Sequence, residues 1–364
     1  MLTQKGYTYM KIELCKENIK PIGRTMLFSD TLFLSLSGSG IEFEYTGKGF
    51  TLTLKGGSAA TIPDNSANYA RIAVYQDESR IIDRQLSEGT LSFRLGESAE
   101  VRTSTFRIIK LSECAMSLVG ILPLEIGDGE TVKPTPCKAH RIEFIGDSIT
   151  CGYGVDDEDP LHPFKTATED VTRAYAFKTA TALNADYSMF STSGYGIISG
   201  YTGDPTVKMT NQLIPDFYEY MGFSYDKMEG IPAPMELAWN FEEFVPDAVV
   251  INLGTNDDSY CQEDTSRQQE YADAYTAFLK VVRKHNPGAM IFCVLGLMGD
   301  RLYPWVQTAV KNYTAGTGDN RITTVHLPEQ DASVGYVSDY HPLESAHEKA
   351  AQVLIPAIKT VMNW

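Results

Sequence analysis

No stretch of this sequence approaches the roughly 18 consecutive apolar residues that a membrane-spanning helix needs. No run of lysine or arginine interrupts a formal net charge of −16. The first absence excludes a helical membrane protein. The second disfavours nucleic acid and anionic membranes as partners, because like charges repel across the whole surface. Met1 to Met10 lacks the continuous apolar core of a signal peptide. The six cysteines, at 15, 114, 137, 151, 261 and 293, include no Cys-x-x-Cys pair. These features predict a reduced, cytoplasmic protein without structural disulfides, with Cys151 and Cys293 as buried thiols in or beside apolar strands.

Several cofactor signatures are missing as well. There is no Walker A sequence and no Gly-x-Ser-x-Gly elbow. The run from Gly194 through Gly196 to Gly200 has one residue too many for a dinucleotide loop. The acidic run Asp156–Asp159 lacks the ligand spacing of a calcium loop and reads as a solvated loop. His347-Glu348 fails the zinc-protease pattern because position 351 is alanine. Neither a cofactor nor a metal is expected.

At 364 residues the chain is long enough for about two domains, and its two halves follow different rules. Residues 1–130 alternate apolar and polar side chains in short runs such as Gly40–Tyr45 and Phe50–Leu54, separated by Gly-rich turns. Seven or eight such runs predict an all-β sandwich or jelly roll. Residues 131–140, with Pro134 and Pro136 and no periodicity, read as a linker. Residues 141–364 alternate apolar strands (141–145, 186–190, 247–253, 289–295, 322–327) with helical patterns near 170–184, 264–285, 303–314 and 343–361. That alternation predicts a three-layer α/β domain with a five-stranded parallel sheet. Residues 199–246 are long for a connection and are expected to cover part of the site.

Four polar groups fall at the predicted strand ends: Gly146-Asp147-Ser148, Ser193-Gly194-Tyr195-Gly196, Gly254-Thr255-Asn256-Asp257 and Asp339-Tyr340-His341-Pro342. Parallel strands share one C-terminal edge, where open α/β sheets bind ligands, so all four converge on one crevice. Each suits a role in acyl transfer. Ser148 is the nucleophile, activated by a base. His341 is that base and the later acid. The amides of Ser148 and Gly194 and the Asn256 side chain form an oxyanion hole. Asp339 completes a triad. Tyr195, Trp239 and Trp305 are candidate rings for stacking on a sugar. His347 and the remaining histidines are assigned to structure.

These same blocks resemble those of the SGNH (GDSL-type) hydrolases, whose name is matched by Ser148, Gly194, Asn256 and His341. With the β-rich half ahead of it, the chain is similar to carbohydrate esterase family 2. That resemblance implies a jelly roll followed by an SGNH domain, and removal of acetyl groups from xylan and related saccharides through an acetyl-enzyme. Many SGNH enzymes place the Asp three residues before the His; here Asp339 is two before, and Ser338 holds the third place. A triad and a Ser148–His341 dyad supported by a backbone carbonyl therefore both stay open. The competing readings are a lipid, lysophospholipid or general short-chain carboxylesterase, and an inactive saccharide-binding protein. The sandwich half also offers a surface for a homo-oligomer.

Overall fold

The computed structural model describes residues 9–364. The reading of the first ten residues as no leader therefore falls largely outside the described residues. The N-terminal unit consists of β1 (Tyr9–Ile12), β2 (Lys20–Ile22), β3 (Thr25–Phe28), β4 (Thr31–Leu34), β5 (Gly40–Gly47) and β6 (Phe50–Gly56). It continues with β7 (Arg71–Gln76), β8 (Ser79–Gln85), β9 (Thr90–Leu95), β10 (Arg102–Lys110), β11 (Val119–Ile121), β12 (Leu124–Gly127) and β13 (Thr131–Pro134). These make two antiparallel sheets, one ordered β1-β12-β6-β11-β4-β3 with β9 also on β6, the other β13-β5-β10-β7-β8 with β2 also on β5. The period-2 pattern explains the pairing: Phe50, Leu52 and Leu54 of β6 and Ile41, Phe43 and Tyr45 of β5 turn into one shared core.

Two sequence expectations change here. The β half has more strands than seven or eight, because pieces as short as β2 and β11 have no alternation long enough to read. Thr131–Pro134, expected at the start of a linker, pairs with β5 as an edge strand. Pro134 is tolerated there because it ends a strand at the sheet margin.

The second unit is built on β14 (His140–Gly146), β15 (Ala185–Ser191), β16 (Ala248–Asn252), β17 (Met290–Leu297) and β18 (Ile322–Glu329), all parallel in the order β15-β14-β16-β17-β18. Its helices are α1 (Ser148–Cys151), α2 (Tyr175–Ala182), α3 (Ile214–Phe217), α4 (Thr255–Cys261), α5 (Thr265–His285), α6 (Tyr303–Thr317) and α7 (Glu344–Met362). The two faces of β16 divide cleanly. Val249 and Ile251 meet Tyr271, Tyr275 and Leu279 of α5 and Val306 of α6, whereas Ala248 and Val250 meet Tyr175 of α2 and Leu354 of α7. That is a helix–sheet–helix sandwich, as the continuous apolar strands predicted. Among the described residues no helix is long and apolar enough to cross a membrane. All six cysteines are free thiols.

The chain order fixes where a site can form. From β14 it moves to β15 on one side and later to β16 on the other, so the direction of strand addition reverses at β14. A crevice opens at the C-terminal end of such a switch point, and Ser148 stands there, two residues beyond Gly146.

Candidate active site

Asp147 caps α1: its Oδ1 accepts the Ile149 amide at 3.0 Å. The cap holds Ser148 at the first helical position, where it is 5% exposed. Ser148 Oγ lies 2.8 Å from His341 Nε2. His341 comes from the loop ahead of α7, almost two hundred residues away in sequence. Burial lowers its pKa to about 4, so the imidazole is neutral and able to accept the serine proton.

The other face of the imidazole differs from a triad. His341 Nδ1 donates to the backbone carbonyl of Asp339 at 3.2 Å. The Asp339 carboxylate points elsewhere: Oδ2 accepts the Tyr153 hydroxyl at 2.5 Å and the Phe164 amide at 3.1 Å. The reason is local. Asp339 and Tyr340 both adopt left-handed backbone, with φ of 48° and 59°. With one residue fewer between acid and histidine, that turn presents the carbonyl to the ring and swings the side chain away. The expected carboxylate contact of a triad is thus replaced by a carbonyl contact from the same residue. Tyr153 in turn stacks on the imidazole at 3.9 Å and on Phe164 at 4.6 Å.

Gly194 lies three residues beyond the end of β15 with φ +80°, a conformation that L side chains rarely adopt. Neither its amide nor that of Ser148 has a hydrogen-bond partner among the described residues. Asn256, at the start of α4, is buried; its Nδ2 donates to the Tyr195 carbonyl at 2.9 Å and approaches Asp147 Oδ2 at 3.3 Å. The longer of the two contacts, to Asp147, is the more easily exchanged. Burial, with the Asp257 carboxylate nearby, pushes the Asp147 carboxyl up to about 7. Asp257, the neighbour of Asn256, accepts the amides of Ile197, Ile198 and Ser199 and so clamps the loop that follows Gly194. Burial raises its pKa to about 6.

The structure brings Ser148, Gly194, Asn256 and His341 to one edge, and Asp339 with them. It does not bring the three predicted rings there as an open platform. Tyr195 is 3% and Trp239 8% exposed, both packed in hydrophobic clusters. Trp239 also lines a cavity of about 410 Å³ between the units, which opens at the N-terminal ends of β14 and β15, the edge opposite Ser148. Trp305 is half-buried against the α5–α6 side of the core. The exposed rings near the site are Tyr340, next to His341, and Tyr201, whose amide donates to the Gly194 carbonyl at 2.8 Å.

Residues 199–246 border the crevice through that first turn and back it through 209–214, where Gly196 N donates to the Gln212 carbonyl at 3.1 Å and Ile214 N to the Gly196 carbonyl at 2.9 Å. Farther on they dock against the N-terminal unit: Asp226 accepts Ser58 Oγ and the amides of Ala59 and Leu118. The run Asp156–Asp159 is not wholly solvated either, since Asp156 pairs with Arg71 and Arg173. Sequence reasoning had no signal for Tyr153, Phe164 or Glu113, none of which falls in a motif. Among the described residues, Glu113, Cys151 and Glu169 are the one group of ligand-type side chains close enough to share an ion. Each of those carboxylates already accepts a backbone amide.

Residues 144–349 match the GDSL-like lipase/acylhydrolase family. The chain is 31% identical over 332 residues to the cellulase/esterase CelE of Acetivibrio thermocellus, covering 90% of this chain and 37% of CelE. It thus spans little more than a third of that relative's length. It is 26% identical over 358 residues to an acetylxylan esterase / glucomannan deacetylase of Cellvibrio japonicus, covering 95% of this chain and 90% of that protein. Its fold is similar to that of a family two carbohydrate esterase from Clostridium thermocellum in complex with cellohexaose. That match has 28% identity and a TM-score of 0.80, with 95% of this chain and 99% of the other covered.

Proposed function

The chain belongs to the GDSL-like lipase/acylhydrolase family, and from that premise we propose that it is a serine esterase that removes O-acetyl groups from acetylated xylan or related plant-cell-wall saccharides. The observation that carries the reading is the 2.8 Å contact from Ser148 Oγ to a neutral His341 Nε2 at the sheet's switch point. His341 takes the Ser148 proton as Oγ attacks the acetyl carbonyl. The oxyanion is held by the Ser148 and Gly194 amides and by the Asn256 amide, which exchanges its longer contact to Asp147 Oδ2 for the oxyanion, each such donor contributing about 3–4 kcal/mol to the transition state. Collapse breaks the bond to the sugar oxygen, which receives the proton from His341, and leaves Ser148 acetylated. Water then attacks by the same route, His341 taking its proton and returning one to Ser148.

The acetylxylan esterase and carbohydrate esterase relatives support acetyl as the acyl group and a saccharide as the leaving group. The exposed rings of Tyr201 and Tyr340 offer flat surfaces for sugar, in place of Tyr195, Trp239 and Trp305. We read the two N-terminal sheets as a jelly roll.

Acetate release from acetylated xylo-, manno- and gluco-oligosaccharides tests the reading. The wild type is expected to turn over, and Ser148→Ala to lose roughly 10⁴-fold or more of kcat. A preference for octanoyl over acetyl p-nitrophenyl esters would favour a lipid esterase instead. No turnover of any ester would leave a saccharide-binding protein.

A further inference from the structure

The turn that follows β10 belongs to the N-terminal unit, yet it runs beneath the loop that carries Gly194. Glu113, 1% exposed, projects from that turn, and its Oε2 accepts the Ser193 amide at 2.7 Å. The same oxygen lies 3.8 Å from Sγ of Cys151, which ends α1 three residues after Ser148. Beside it, Cys114 Sγ sits 3.3 Å from Thr192 Oγ1 and 3.7 Å from the Ser191 carbonyl. The short stretch 191–193 is therefore stitched residue by residue to the first unit.

The backbone from which that carboxyl projects is firmly held. Glu169 Oε2 accepts the Glu113 amide at 2.7 Å. Buried Lys110 donates to the carbonyls of Ser112 and Glu113, both at 2.6 Å. Burial raises the pKa of both glutamates and lowers that of Lys110. Burying two acids and an ammonium is costly unless each makes good hydrogen bonds. The bonds made here fix the backbone of Ser112 and Glu113, and Glu113 Oε2 carries that anchorage to the Ser193 amide.

The Ser193 anchor matters because Gly194 has no side chain through which it could be held. An added Cβ there would meet nothing within 4 Å. The direction of its amide is therefore set by its neighbours in the chain. On one side Ser193 N is tied to Glu113; on the other, Gly194 O is tied to Tyr201 N. We infer that Glu113 is the positioning residue through which the β-rich unit aims the Gly194 amide at the oxyanion formed on Ser148. The inference rests on the esterase reading. It makes the N-terminal unit part of the catalytic apparatus rather than an appended module.

Steady-state kinetics with p-nitrophenyl acetate on Glu113→Ala, Glu113→Asp and Glu113→Gln, together with thermal unfolding, decides it. Misaiming one oxyanion donor is expected to lower kcat by roughly 10- to 100-fold in the Ala and Asp variants, with KM within about twofold. Asp keeps the carboxyl group but withdraws the acceptor, so it carries the test if Ala fails to fold. Gln presents a carbonyl oxygen at the same place and is expected to return kcat to within about fivefold of wild type. A folded Ala or Asp variant with wild-type kcat would overturn the inference. So would a loss confined to KM, or a Gln variant as impaired as Ala. A wild type without turnover is a different result and would remove the esterase reading itself.

Discussion

The imidazole of His341 takes its orientation from a carbonyl at 3.2 Å and a tyrosine ring stacked at 3.9 Å. A neutral acceptor stabilises an imidazolium less than a carboxylate does, and burial lowers the His341 pKa to about 4. The sign follows directly. A base must be neutral, and a depressed pKa keeps it neutral in more acid solution. The acid limb of kcat/KM, which reports the free enzyme, is therefore expected near pH 4 and not near the 6.5 of a free histidine. Asp339→Asn preserves an acceptor for Tyr153 and Phe164 and leaves the carbonyl in place. It is expected to keep kcat within about tenfold of wild type, whereas neutralising a carboxylate that orients a catalytic histidine costs roughly 10⁴-fold. Rates from about pH 3 to 8 on both proteins check the pair of expectations. A 10⁴-fold loss would return Asp339 to a triad. Ser148, Gly194, Asn256 and His341 were legible because each closes or follows an apolar run in a distinctive short block. Tyr153, Phe164 and Glu113 were not, since their contacts exist only through space.

Helix α2 begins without a side-chain cap of its own, Ala174 standing at the cap position. The missing acceptor comes from α7: His347 Nδ1 accepts the Tyr175 amide at 3.3 Å. Acceptance requires an unprotonated nitrogen, and burial lowers the His347 pKa to about 3. A base depressed in the folded state contributes stability that is complete above the unfolded value of 6.5 and is lost as pH falls toward 3. His347→Gln removes the titration. It is expected to cost about 1 kcal/mol at neutral pH, the usual worth of a cap, with the gap to wild type narrowing in acid. Urea unfolding at neutral pH and near pH 4 measures this; a gap that widened in acid would refute it. At this scale the five long parallel strands and helices α5 to α7 were legible from periodicity. Strands such as β2 and β11 were not, because three residues gain their conformation from neighbours rather than from their own pattern.

Across the whole molecule, charged side chains of the first unit are buried in the second. Arg24, 0% exposed, pairs with Glu143 of β14 at 3.1 Å and donates to the carbonyls of Tyr218 and Tyr220. The rings of Phe190, Tyr218, Trp239 and Phe241 surround its guanidinium at 4.4–5.5 Å. The partly exposed Arg71 and Arg80 also cross to the second unit, pairing with Asp156 and Asp170. Such contacts predict that the two units unfold in one transition. Arg24→Met keeps the aliphatic bulk but leaves Glu143 buried without its partner, and is expected to cost about 3–5 kcal/mol in denaturant unfolding. A near-neutral effect, or two separate transitions in the wild type, would show that the units are energetically independent. By itself the sequence determined the class of each half, the succession of strands and helices along the second, and the short blocks that meet at one sheet edge, because hydrophobic period and strand-end position are local properties of a chain. Only the tertiary structure decided what holds those groups in place. The Asp339 carbonyl on His341, the His347 cap on α2 and the Glu113 bond beneath Gly194 all join residues whose proximity is created by packing.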